Sequence, residues 1–343
     1  MTLEASAAPL ADVYDVALVD LDGVAYRGPV AIPHAPESLT AARAAGMGVV
    51  FITNNASREP GTVAEHLVSL GIEASPDEVL TSAQAAAALL ATEVDRDAPV
   101  LVVGGPGLVT AVREAGFRRV SSADEHPVAV VQGFAPEVSW RDLAEAAYAI
   151  QRGARHVVSN LDLTLPNERG LAPGNGSLVG AVVNATGVTP LSAGKPEPAM
   201  YQLAVLRRGA VRPLVVGDRL DTDLGGARAA GYPGLHVLTG VSDARDAVLA
   251  APRERPTFIA ADLRGLLEAH PAPAPDADGW WRCGARAARV QGGELRLDGQ
   301  GHVDIDLVRA ACGAAWAAAD GGHALSPDAV PELTPEAAPV HGR

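Results

Sequence analysis

The sequence has few of the features that mark several large classes of protein. Its 343 residues include two cysteines, Cys283 and Cys312, too few for a disulfide framework and typical of a reducing compartment. Acidic residues outnumber basic ones by 41 to 27, and a net charge of −14 argues against binding to nucleic acid or anionic membranes. No apolar run has the length of a membrane span, and the first ten residues do not resemble a signal peptide. We therefore expect a cytoplasmic protein without nucleic-acid or membrane partners.

Apolar residues, in contrast, are abundant and regularly spaced. They make up 48% of the chain and the mean hydropathy is +0.12, which suits a packed core and two or three domains. Apolar runs at 16–19 and 49–52 predict buried strands, and each is followed by a predicted helix, near 37–45 and 62–70, that a glycine ends. This βαβα order predicts an α/β fold with a Rossmann-like, doubly wound parallel sheet.

The same alternation continues through an inserted α/β unit and stops at a proline-rich run. Within this unit, Ser139 and Asp142 predict a capping box at the start of a helix, and the Gly-, Pro- and Asn-rich stretch at 170–190 predicts one short helix at 178–185. The Pro, Ala and Asp residues of the proline-rich run have no periodicity and predict a linker. Beyond it, a hairpin around Gly292–Gly293 and an apolar helix stripe predict a small α+β domain. The predicted parts are a core at 13–81 plus 191–268, an inserted unit at 82–190, a linker at 271–278, a small domain at 279–325 and a mobile tail at 326–343.

The most informative motif is a pair of carboxylates, Asp20 and Asp22, after the first apolar strand. Ligands collect beyond the carboxyl ends of strands in open α/β sheets, and alternation turns both side chains to the same side. One carboxylate can attack phosphorus while the other protonates a leaving alcohol, and Gly23 allows a sharp turn around a cation. For this motif alone, a solvated turn is the alternative.

Two further clusters carry groups that suit phosphate. The strand at 49–52 runs into Thr53, Asn54 and Asn55, a hydroxyl and two amides ahead of a helix whose free N–H groups favour anions. Lys195 stands in a Gly-Lys-Pro turn, where its ammonium can neutralise a nucleophile and a transferring phosphoryl group. The alternatives are an Asx turn with helix capping for the first cluster and a solvated lysine for the second.

Acidic residues follow a fourth apolar strand, at 214–216. Asp218 at its end offers Mg²⁺ a hard oxygen ligand, and Asp223 is placed to hold Lys195 or a metal-bound water. The alternative for this acidic cluster is a helix N-terminus favoured by the helix dipole, which we expect for Asp221. Four strands thus end in the different groups that one phosphoryl-transfer reaction requires.

These motifs together resemble those of a known family. Over about residues 13–268, the chain is similar to the haloacid dehalogenase superfamily through Asp20-Leu-Asp22-Gly23, Thr53-Asn-Asn, Gly194-Lys195-Pro and Gly217-Asp218-x4-Asp223. Within that superfamily, Asp-Gly-Val-x-Tyr at 22–26 resembles the p-nitrophenyl phosphatase-like subfamily. This subfamily has a large cap and includes phosphoglycolate, glycerol-phosphate and pyridoxal-phosphate phosphatases.

The resemblance implies a role for each motif residue. Asp20 is the nucleophile that takes the phosphoryl group, and Asp22 is the general acid and base. Mg²⁺ is the implied cofactor, held by Asp20, Asp218 and the main-chain carbonyl of Asp22, with Asp223 behind them. The groups implied to bind phosphoryl oxygens are those of Thr53, Asn54, Asn55 and Lys195.

The inserted unit resembles the cap that selects the substrate in this subfamily. Asn160 and Asp162 match cap segments and are candidates to face the leaving group, with a role as turn residues as the alternative. The unit after residue 278, together with the overall pattern, resembles the actinobacterial glycerol 3-phosphate phosphatases, which carry a small acetyltransferase-like domain. We expect this unit to serve packing or dimerisation, and hence allow a homodimer.

The expected function is Mg²⁺-dependent hydrolysis of a small phosphorylated metabolite, glycerol 3-phosphate first, through an aspartyl phosphate at Asp20. Phosphoglycolate, pyridoxal phosphate and nucleotides are alternative substrates. A phosphomutase is an alternative enzyme, and a sugar-phosphate-binding regulator with little turnover is an alternative of another class.

Overall fold

The computed structural model describes residues 2–167, 169–299 and 303–333. The chain folds as two compact units. The first comprises Met1–Val49, Leu70–Glu73 and Ala210–Arg343, and the second Val50–Ser69 and Ala74–Gly209.

The secondary structure alternates between strands and helices along most of the chain. The strands are β1 Val16–Asp20, β2 Tyr26–Arg27, β3 Val30–Ala31, β4 Gly48–Thr53, β5 Val79–Thr81, β6 Pro99–Val103, β7 Arg118–Val120, β8 Ala129–Gln132, β9 Arg155–Val158, β10 Thr164–Asn167, β11 Gly170–Pro173, β12 Leu191–Ser192, β13 Pro213–Gly217, β14 Gly234–Val237, β15 Phe258–Ala260, β16 Ala274–Pro275, β17 Trp281–Cys283, β18 Arg286–Gln291 and β19 Glu294–Leu297. The α-helices are α1 Leu10–Val13, α2 Ala35–Ala44, α3 Pro60–Ser69, α4 Ser82–Glu93, α5 Pro106–Glu114, α6 Trp140–Gln151, α7 Asn175–Thr186, α8 Ala199–Arg208, α9 Gly225–Ala230, α10 Ala244–Leu249 and α11 Ile305–Asp320.

In the first unit, parallel strands lie side by side in the order β15, β14, β13, β1. β1 and β13 are buried along almost their whole length, as parallel strands covered on both faces are. Val19 of β1 stands opposite Val216 of β13, so the residues that follow leave the sheet at one edge. The predicted parallel α/β sheet is confirmed, and the acidic motifs at 20–22 and 218–223 come from neighbouring strand ends.

The appended part of the first unit is an antiparallel sheet in the order β16, β17, β18, β19, with α11 packed against it. The predicted small α+β domain is confirmed. Gln291 pairs with Glu294, and Gly292 and Gly293 both have positive φ, as a two-residue hairpin turn requires. The predicted linker at 271–278 contains the short strand β16, which pairs with β17.

The appended domain shares a hydrophobic core with the rest of the first unit. Cys312 and Trp316 of α11 are buried in one cluster with Leu224 and Val248. Trp316 Nε1 donates to the Ala247 carbonyl at 3.0 Å. Removing this domain would expose that apolar surface, so it contributes to stability.

One buried arginine adds a polar tie within the same core. Arg255 is 2% exposed, and its guanidinium donates to both carboxylate oxygens of Asp320 at 2.8 and 2.9 Å. It also lies 5.3 Å from the centre of the Trp316 ring. Both bonds come from one guanidinium nitrogen, Nη1, and the delocalised plane of the group also allows the ring contact.

The start of the predicted tail packs on this domain. Val330 and Leu333 are 3% and 4% exposed and belong to the same core cluster. The remainder of the predicted tail, 334–343, lies outside the described residues. The predicted domain boundaries stay predictions.

The second unit contains a parallel sheet in the order β12, β9, β8, β6, β7 and a parallel pair formed by β4 and β5. Val130 of β8, Ile150 of α6 and Val182 of α7 belong to one core. α6 begins after Ser139, whose hydroxyl and main-chain N–H both bond to Asp142. This capping box was expected from the sequence.

The segment from 170 to 190 differs from the prediction, which placed only a helix near 178–185 there. β11 pairs with β10 as an antiparallel hairpin, and α7 begins three residues earlier and ends one residue later than expected. Pro166, Gly170 and Pro173 are residue types that are rare within strands. Leu165 and Leu171, the leucines of the two strands, are exposed, so no alternation of buried and exposed leucines marks the hairpin in the sequence.

None of the helices in the described part of the chain has both the length and the apolarity to cross a bilayer. Cys283 and Cys312 are both buried as free thiols.

A buried histidine in the second unit makes stability depend on pH. Burial lowers the pKa of His156 on β9 from its ordinary 6.5 to about 4. Between these two values the unfolded chain binds a proton that the folded chain does not, so the free energy of unfolding falls as the pH falls from 6.5 to 4 and is constant above 6.5. The largest loss is about 3 kcal/mol, since one pKa unit corresponds to 1.36 kcal/mol.

We expect His156→Gln to reduce the slope of this dependence by the share of His156, while buried His236, whose pKa is also lowered to about 4, keeps its own share. Glutamine has no titration in this range and can donate to Gln132, whose side-chain oxygen lies 3.1 Å from His156 Nε2. Urea unfolding between pH 4.5 and 8 measures the slope, with His323→Gln, at an exposed position, as the control. Equal slopes in the wild type and His156→Gln would contradict the assignment.

Candidate active site

The first acidic group follows β1. Asp20 is the last residue of that strand and is partly buried, whereas Asp22 is exposed. Between them the chain turns sharply: Gly23 has φ +87°, and its N–H donates to the Tyr26 carbonyl at 2.8 Å. A side chain at residue 23 would be strained in this conformation, so glycine permits the turn that presents both carboxylates.

The second acidic group follows β13 and is held by the loop after β14. Asp218 is completely buried, and its Oδ2 accepts from the Val241 N–H at 2.7 Å. The Ser242 N–H donates to the Asp218 carbonyl at 3.1 Å. Thr239 in the same loop donates from its hydroxyl to the Gly23 carbonyl at 2.6 Å, so this loop connects the ends of β1 and β13.

Asp223 lies on the turn of π-helix at Leu220–Leu224 and is 1% exposed. Its Oδ2 accepts from the Arg219 N–H at 3.1 Å, which points the carboxylate back toward β13. Asp221 instead faces outward and pairs with the Arg219 guanidinium at 2.8 Å. Burial raises the pKa of Asp221, but the hydrogen bond and charge of the Arg219 guanidinium, together with main-chain hydrogen bonds such as that of the Thr222 N–H, outweigh it, and the net pKa is lowered. Asp221 is thus a surface partner of Arg219.

Three of the four predicted acids form a group that fits a hard cation. One carboxylate oxygen from each of Asp20, Asp218 and Asp223 lies within 4.8 Å of the others. The backbone crowds this group: a Cβ on Gly23 would lie 2.5 Å from Asp218 Oδ2, and one on Gly240 would overlap that atom. Oxygen ligands on partly or fully buried carboxylates suit Mg²⁺. Asp22 was predicted to contribute its main-chain carbonyl, and its side chain is outside this group.

A neutral histidine underlies the acids. His236 of β14 is completely buried, and its Nδ1 lies 3.4 Å from the Gly217 carbonyl oxygen. Burial lowers the pKa of His236 to about 4, although Asp223 acts in the opposite direction. The imidazole is therefore uncharged near pH 7 and leaves the negative charge of the acids to be balanced by a cation.

The second unit holds the predicted phosphate-binding residues. Thr53 ends β4 and is 5% exposed, and its hydroxyl oxygen accepts from the Asn55 N–H at 3.1 Å. The Asn55 side-chain oxygen accepts from the N–H and hydroxyl of Ser57, both at 2.9 Å. The Asn55 oxygen thus serves the Asx turn that the sequence offered as an alternative.

Asn54 and Lys195 are joined directly. The Asn54 side-chain oxygen accepts from the Lys195 N–H at 2.8 Å, and its nitrogen donates to the Lys195 carbonyl at 3.2 Å. Lys195 is 6% exposed. The alternative of a solvated lysine in a turn does not fit this burial, because an ammonium is costly to bury unless it is paired or hydrogen-bonded.

The two cap candidates lie beside this pair. Asn160 is 5% exposed; its side-chain nitrogen donates to the Asn54 carbonyl at 2.7 Å, and its oxygen accepts from the Asp162 N–H at 3.1 Å. The Asp162 carboxylate accepts from Asn54 Nδ2 at 3.2 Å. Asn160 thus uses both ends of its amide within the protein, which favours the structural alternative for that residue.

Two signals in the sequence point to this chemistry and were missed. Lys195 is the one lysine among 27 basic residues, the others all being arginine. A buried lysine in a chain that otherwise uses arginine indicates a need for a compact ammonium. The second signal is the loop at 239–242, which follows a fifth apolar strand just as the other polar groups follow theirs. In the structure this loop orients Asp218.

Comparison with known proteins decides the family. A haloacid dehalogenase-like hydrolase model matches residues 17–118, and a HAD-hydrolase-like model matches 192–266. A D-glycerol 3-phosphate phosphatase of Mycobacterium tuberculosis is 45% identical over 317 residues, covering 90% of this chain and 88% of that protein. The chain belongs to the haloacid dehalogenase superfamily. The predicted family is confirmed.

Solved structures of this superfamily agree. The crystal structure of a glycerol phosphate phosphatase from M. tuberculosis in complex with magnesium has a TM-score of 0.82 and 45% identity, covering 90% of this chain and 92% of that one. A p-nitrophenyl phosphatase from Archaeoglobus fulgidus has a TM-score of 0.69 and 29% identity, covering 74% and 98%. A GCN5-related N-acetyltransferase-like model matches residues 283–334, as the acetyltransferase-like prediction expected.

Proposed function

We propose that the protein is a Mg²⁺-dependent phosphatase of small phosphate monoesters, with glycerol 3-phosphate as the leading substrate. The observation that carries this proposal is the convergence of Asp20, Asp218 and Asp223 next to an exposed Asp22. Its support from relatives is the D-glycerol 3-phosphate phosphatase that is similar over 90% of the chain.

The reaction follows from two carboxylates with different surroundings. A carboxylate oxygen of Asp20 attacks phosphorus, the bond from phosphorus to the ester oxygen breaks, and Asp22 gives its proton to the departing alcohol. Water then attacks the phosphorus of the aspartyl phosphate while Asp22 takes a proton from that water, and the bond from phosphorus to the Asp20 oxygen breaks, which restores the Asp20 carboxylate. The net change is ester plus water to alcohol plus inorganic phosphate.

The polar residues of the second unit have proposed roles in holding the phosphoryl group. We assign its oxygens to Thr53, Asn54, Asn55 and Lys195, as the resemblance implies. The Thr53 hydroxyl, the Asn55 amide nitrogen and the Lys195 ammonium can each donate to a phosphoryl oxygen, whereas the Asn54 side chain, already bonded to Lys195 and Asp162, would act by holding Lys195. The positive charge of the ammonium stabilises the negative charge that develops in the transition state.

Magnesium would be held by Asp20 and Asp218, together with the Asp22 carbonyl, and Asp223 would complete the acidic group. When bound, the ion screens the negative charge of nucleophile and substrate and polarises a phosphoryl oxygen. The carboxylates would bind the ion from fixed positions, because β1, β13 and the loop at 239–242 hold these side chains in place.

We expect magnesium to govern both activity and stability. EDTA should abolish phosphate release and excess MgCl₂ should restore it. Because the ion binds only the folded chain, Mg²⁺ at a hundred times its Kd should add about 2.7 kcal/mol to the free energy of unfolding. This is a rise of a few degrees in Tm, measured by differential scanning calorimetry.

Asp218→Asn should remove most of this rise in Tm and lower kcat/KM by about a hundredfold or more, since a buried ligand loses its charge. Asp12→Asn, at an exposed position on α1, serves as the control and should keep both the rise in Tm with Mg²⁺ and the wild-type kcat/KM. An unchanged Mg²⁺-dependent Tm in Asp218→Asn would place the ion elsewhere.

A panel of phosphate esters tests the substrate. We expect glycerol 3-phosphate to have the highest kcat/KM among glycerol 3-phosphate, phosphoglycolate, pyridoxal phosphate, a hexose phosphate and a nucleoside monophosphate, all with Mg²⁺. A higher kcat/KM for another ester would rule out glycerol 3-phosphate as the leading substrate but would leave the proposed phosphatase reaction intact. Tight binding of a sugar phosphate with no phosphate released from any ester would instead indicate the regulator.

The predicted cytoplasmic location and the homodimer stay predictions. Light scattering after size-exclusion chromatography measures the second directly.

A further inference from the structure

The Asn54 amide accepts from the Lys195 N–H and donates to the Lys195 carbonyl. Only one of the two orientations of the amide allows both bonds. Asp162 stabilises that orientation further, because both of its carboxylate oxygens accept from Asn54 Nδ2 at 3.2 Å. An ionised carboxylate only accepts hydrogen bonds, so it would repel the amide oxygen if the Asn54 side chain were turned over. The Asp162 carboxylate therefore favours the same orientation of the Asn54 amide that the Lys195 N–H and carbonyl require.

Buried asparagines hold Asp162 in turn. Asn160 accepts from the Asp162 N–H and donates to the Asn54 carbonyl. Asn175, the first residue of α7, donates from Nδ2 to the Asn160 carbonyl at 2.7 Å. Asn160 and Asn175 are 5% and 2% exposed, so water does not compete for these bonds. A continuous set of buried hydrogen bonds thus leads from α7 through Asn160 and Asn54 to Lys195.

The main chain before Lys195 is packed directly on this network. A Cβ on Gly194 would collide with the Ser159 carbonyl oxygen and would lie 2.8 Å from Asn54 Oδ1. Gly194 and Lys195 can therefore shift little without breaking the bonds that Asn54 makes. The position of the Lys195 Cα, from which the ammonium extends, is set by Asn54 and Asp162.

We propose that Asp162 is a positioning residue that acts through Asn54 on Lys195, instead of contacting the leaving alcohol. This inference rests on the proposed function, in which the Lys195 ammonium binds the phosphoryl group. Every ester carries the same phosphoryl group, so the loss of Asp162 impairs all substrates by one factor. A contact to the leaving group would impair glycerol 3-phosphate more than an ester whose alcohol has no hydroxyls.

The kinetic test compares Asp162→Ala, Asp162→Asn, Lys195→Met and the double variant Asp162→Ala with Lys195→Met. We expect Asp162→Ala to lower kcat/KM by about tenfold to a hundredfold, equally for glycerol 3-phosphate and p-nitrophenyl phosphate. Asp162→Asn keeps an acceptor for Asn54 and should lose less. The double variant should be no worse than Lys195→Met, because a misplaced ammonium has no effect once it is removed. Asn184→Ala, exposed on α7, is the matched control and should equal the wild type.

A second measurement needs no turnover. Because Lys195 is the sole lysine, protein labelled with ¹³C at lysine Cε gives one side-chain signal. Inorganic phosphate in the presence of Mg²⁺ should shift this signal in the wild type and in Asn184→Ala. The shift should be reduced in Asp162→Asn and lost in Asp162→Ala. If Asp162→Ala does not fold, Asp162→Asn still tests the equal loss on both esters and the reduced shift.

The outcomes separate the two proposals. Wild-type activity in Lys195→Met, or no effect of phosphate on the lysine signal, would remove the proposed role of Lys195 and the inference with it. An inactive Lys195→Met combined with a loss in Asp162→Ala that depends on the alcohol would overturn the positioning role alone. The positioning role would also be overturned if the fold loss in kcat/KM of the double variant equalled the product of the losses in Asp162→Ala and Lys195→Met.

Discussion

Asp20→Asn is expected to lose at least about 10⁴-fold in kcat, because the amide is a poor nucleophile and the phosphoryl group then has no acceptor. The variant should also bind Mg²⁺ more weakly, since Asp20 is one of the three carboxylates within 4.8 Å of one another. Phosphate release from glycerol 3-phosphate measures the rate. Acid quenching after mixing with ³²P-labelled substrate measures the phosphorylated protein, which should form in the wild type and be absent in Asp20→Asn.

The control for this variant is Asp12→Asn, which makes the same chemical change at an exposed position of the same unit and should keep wild-type activity. A Tm within a few degrees of the wild type would show that Asp20→Asn is folded. Activity within tenfold of the wild type in Asp20→Asn, or a labelled protein in that variant, would rule out an aspartyl phosphate at Asp20.

Asp22→Asn is expected to affect the two halves of the reaction differently. With glycerol 3-phosphate the alkoxide is a poor leaving group, so losing the general acid should lower the first step by about 10² to 10⁴-fold. With p-nitrophenyl phosphate the phenolate leaves without protonation, so the first step should be nearly normal. The second step, in which Asp22 accepts a proton from water, should be slow for both.

Rapid mixing with p-nitrophenyl phosphate should therefore show a burst of nitrophenol close to one equivalent per site, followed by slow turnover. The wild type mixed with the same ester is the reference, and glycerol 3-phosphate should give no burst in the variant. Equal losses on both esters in the first step would mean that Asp22 holds the metal or the turn and is not the acid.

The sequence was sufficient where a strand is buried on both faces and ends in polar residues. β1 and β13 appear as apolar runs because both faces of a parallel strand are covered, and the polarity changes abruptly at Asp20 and at Asp218. The hairpin at Gly292–Gly293 and the capping box at Ser139 were predictable because each depends on residues only a few positions apart in the sequence. In each case the signal is local, since neighbouring residues form it.

The sequence was insufficient where a contact joins distant segments. Asn54 and Lys195 are 141 residues apart, and Asn54 and Asp162 are 108 apart. In the sequence, an Asx turn is a sufficient explanation for Asn54, so nothing indicates its distant partners Lys195 and Asp162. The hairpin of β10 and β11 was missed because its leucines are exposed. The loop at 239–242 was missed because it contributes main-chain N–H groups.

By itself, then, the sequence determined the parallel α/β core, the appended α+β domain and the four polar strand ends, together with their resemblance to the haloacid dehalogenase superfamily. Periodicity and polarity along the chain are enough for these. The tertiary structure decided which acids converge, since Asp223 joins Asp20 and Asp218 only when its turn folds back on β13. It also decided that Asn160 and Asp162 bond to Asn54, because hydrogen bonds between distant segments depend on packing.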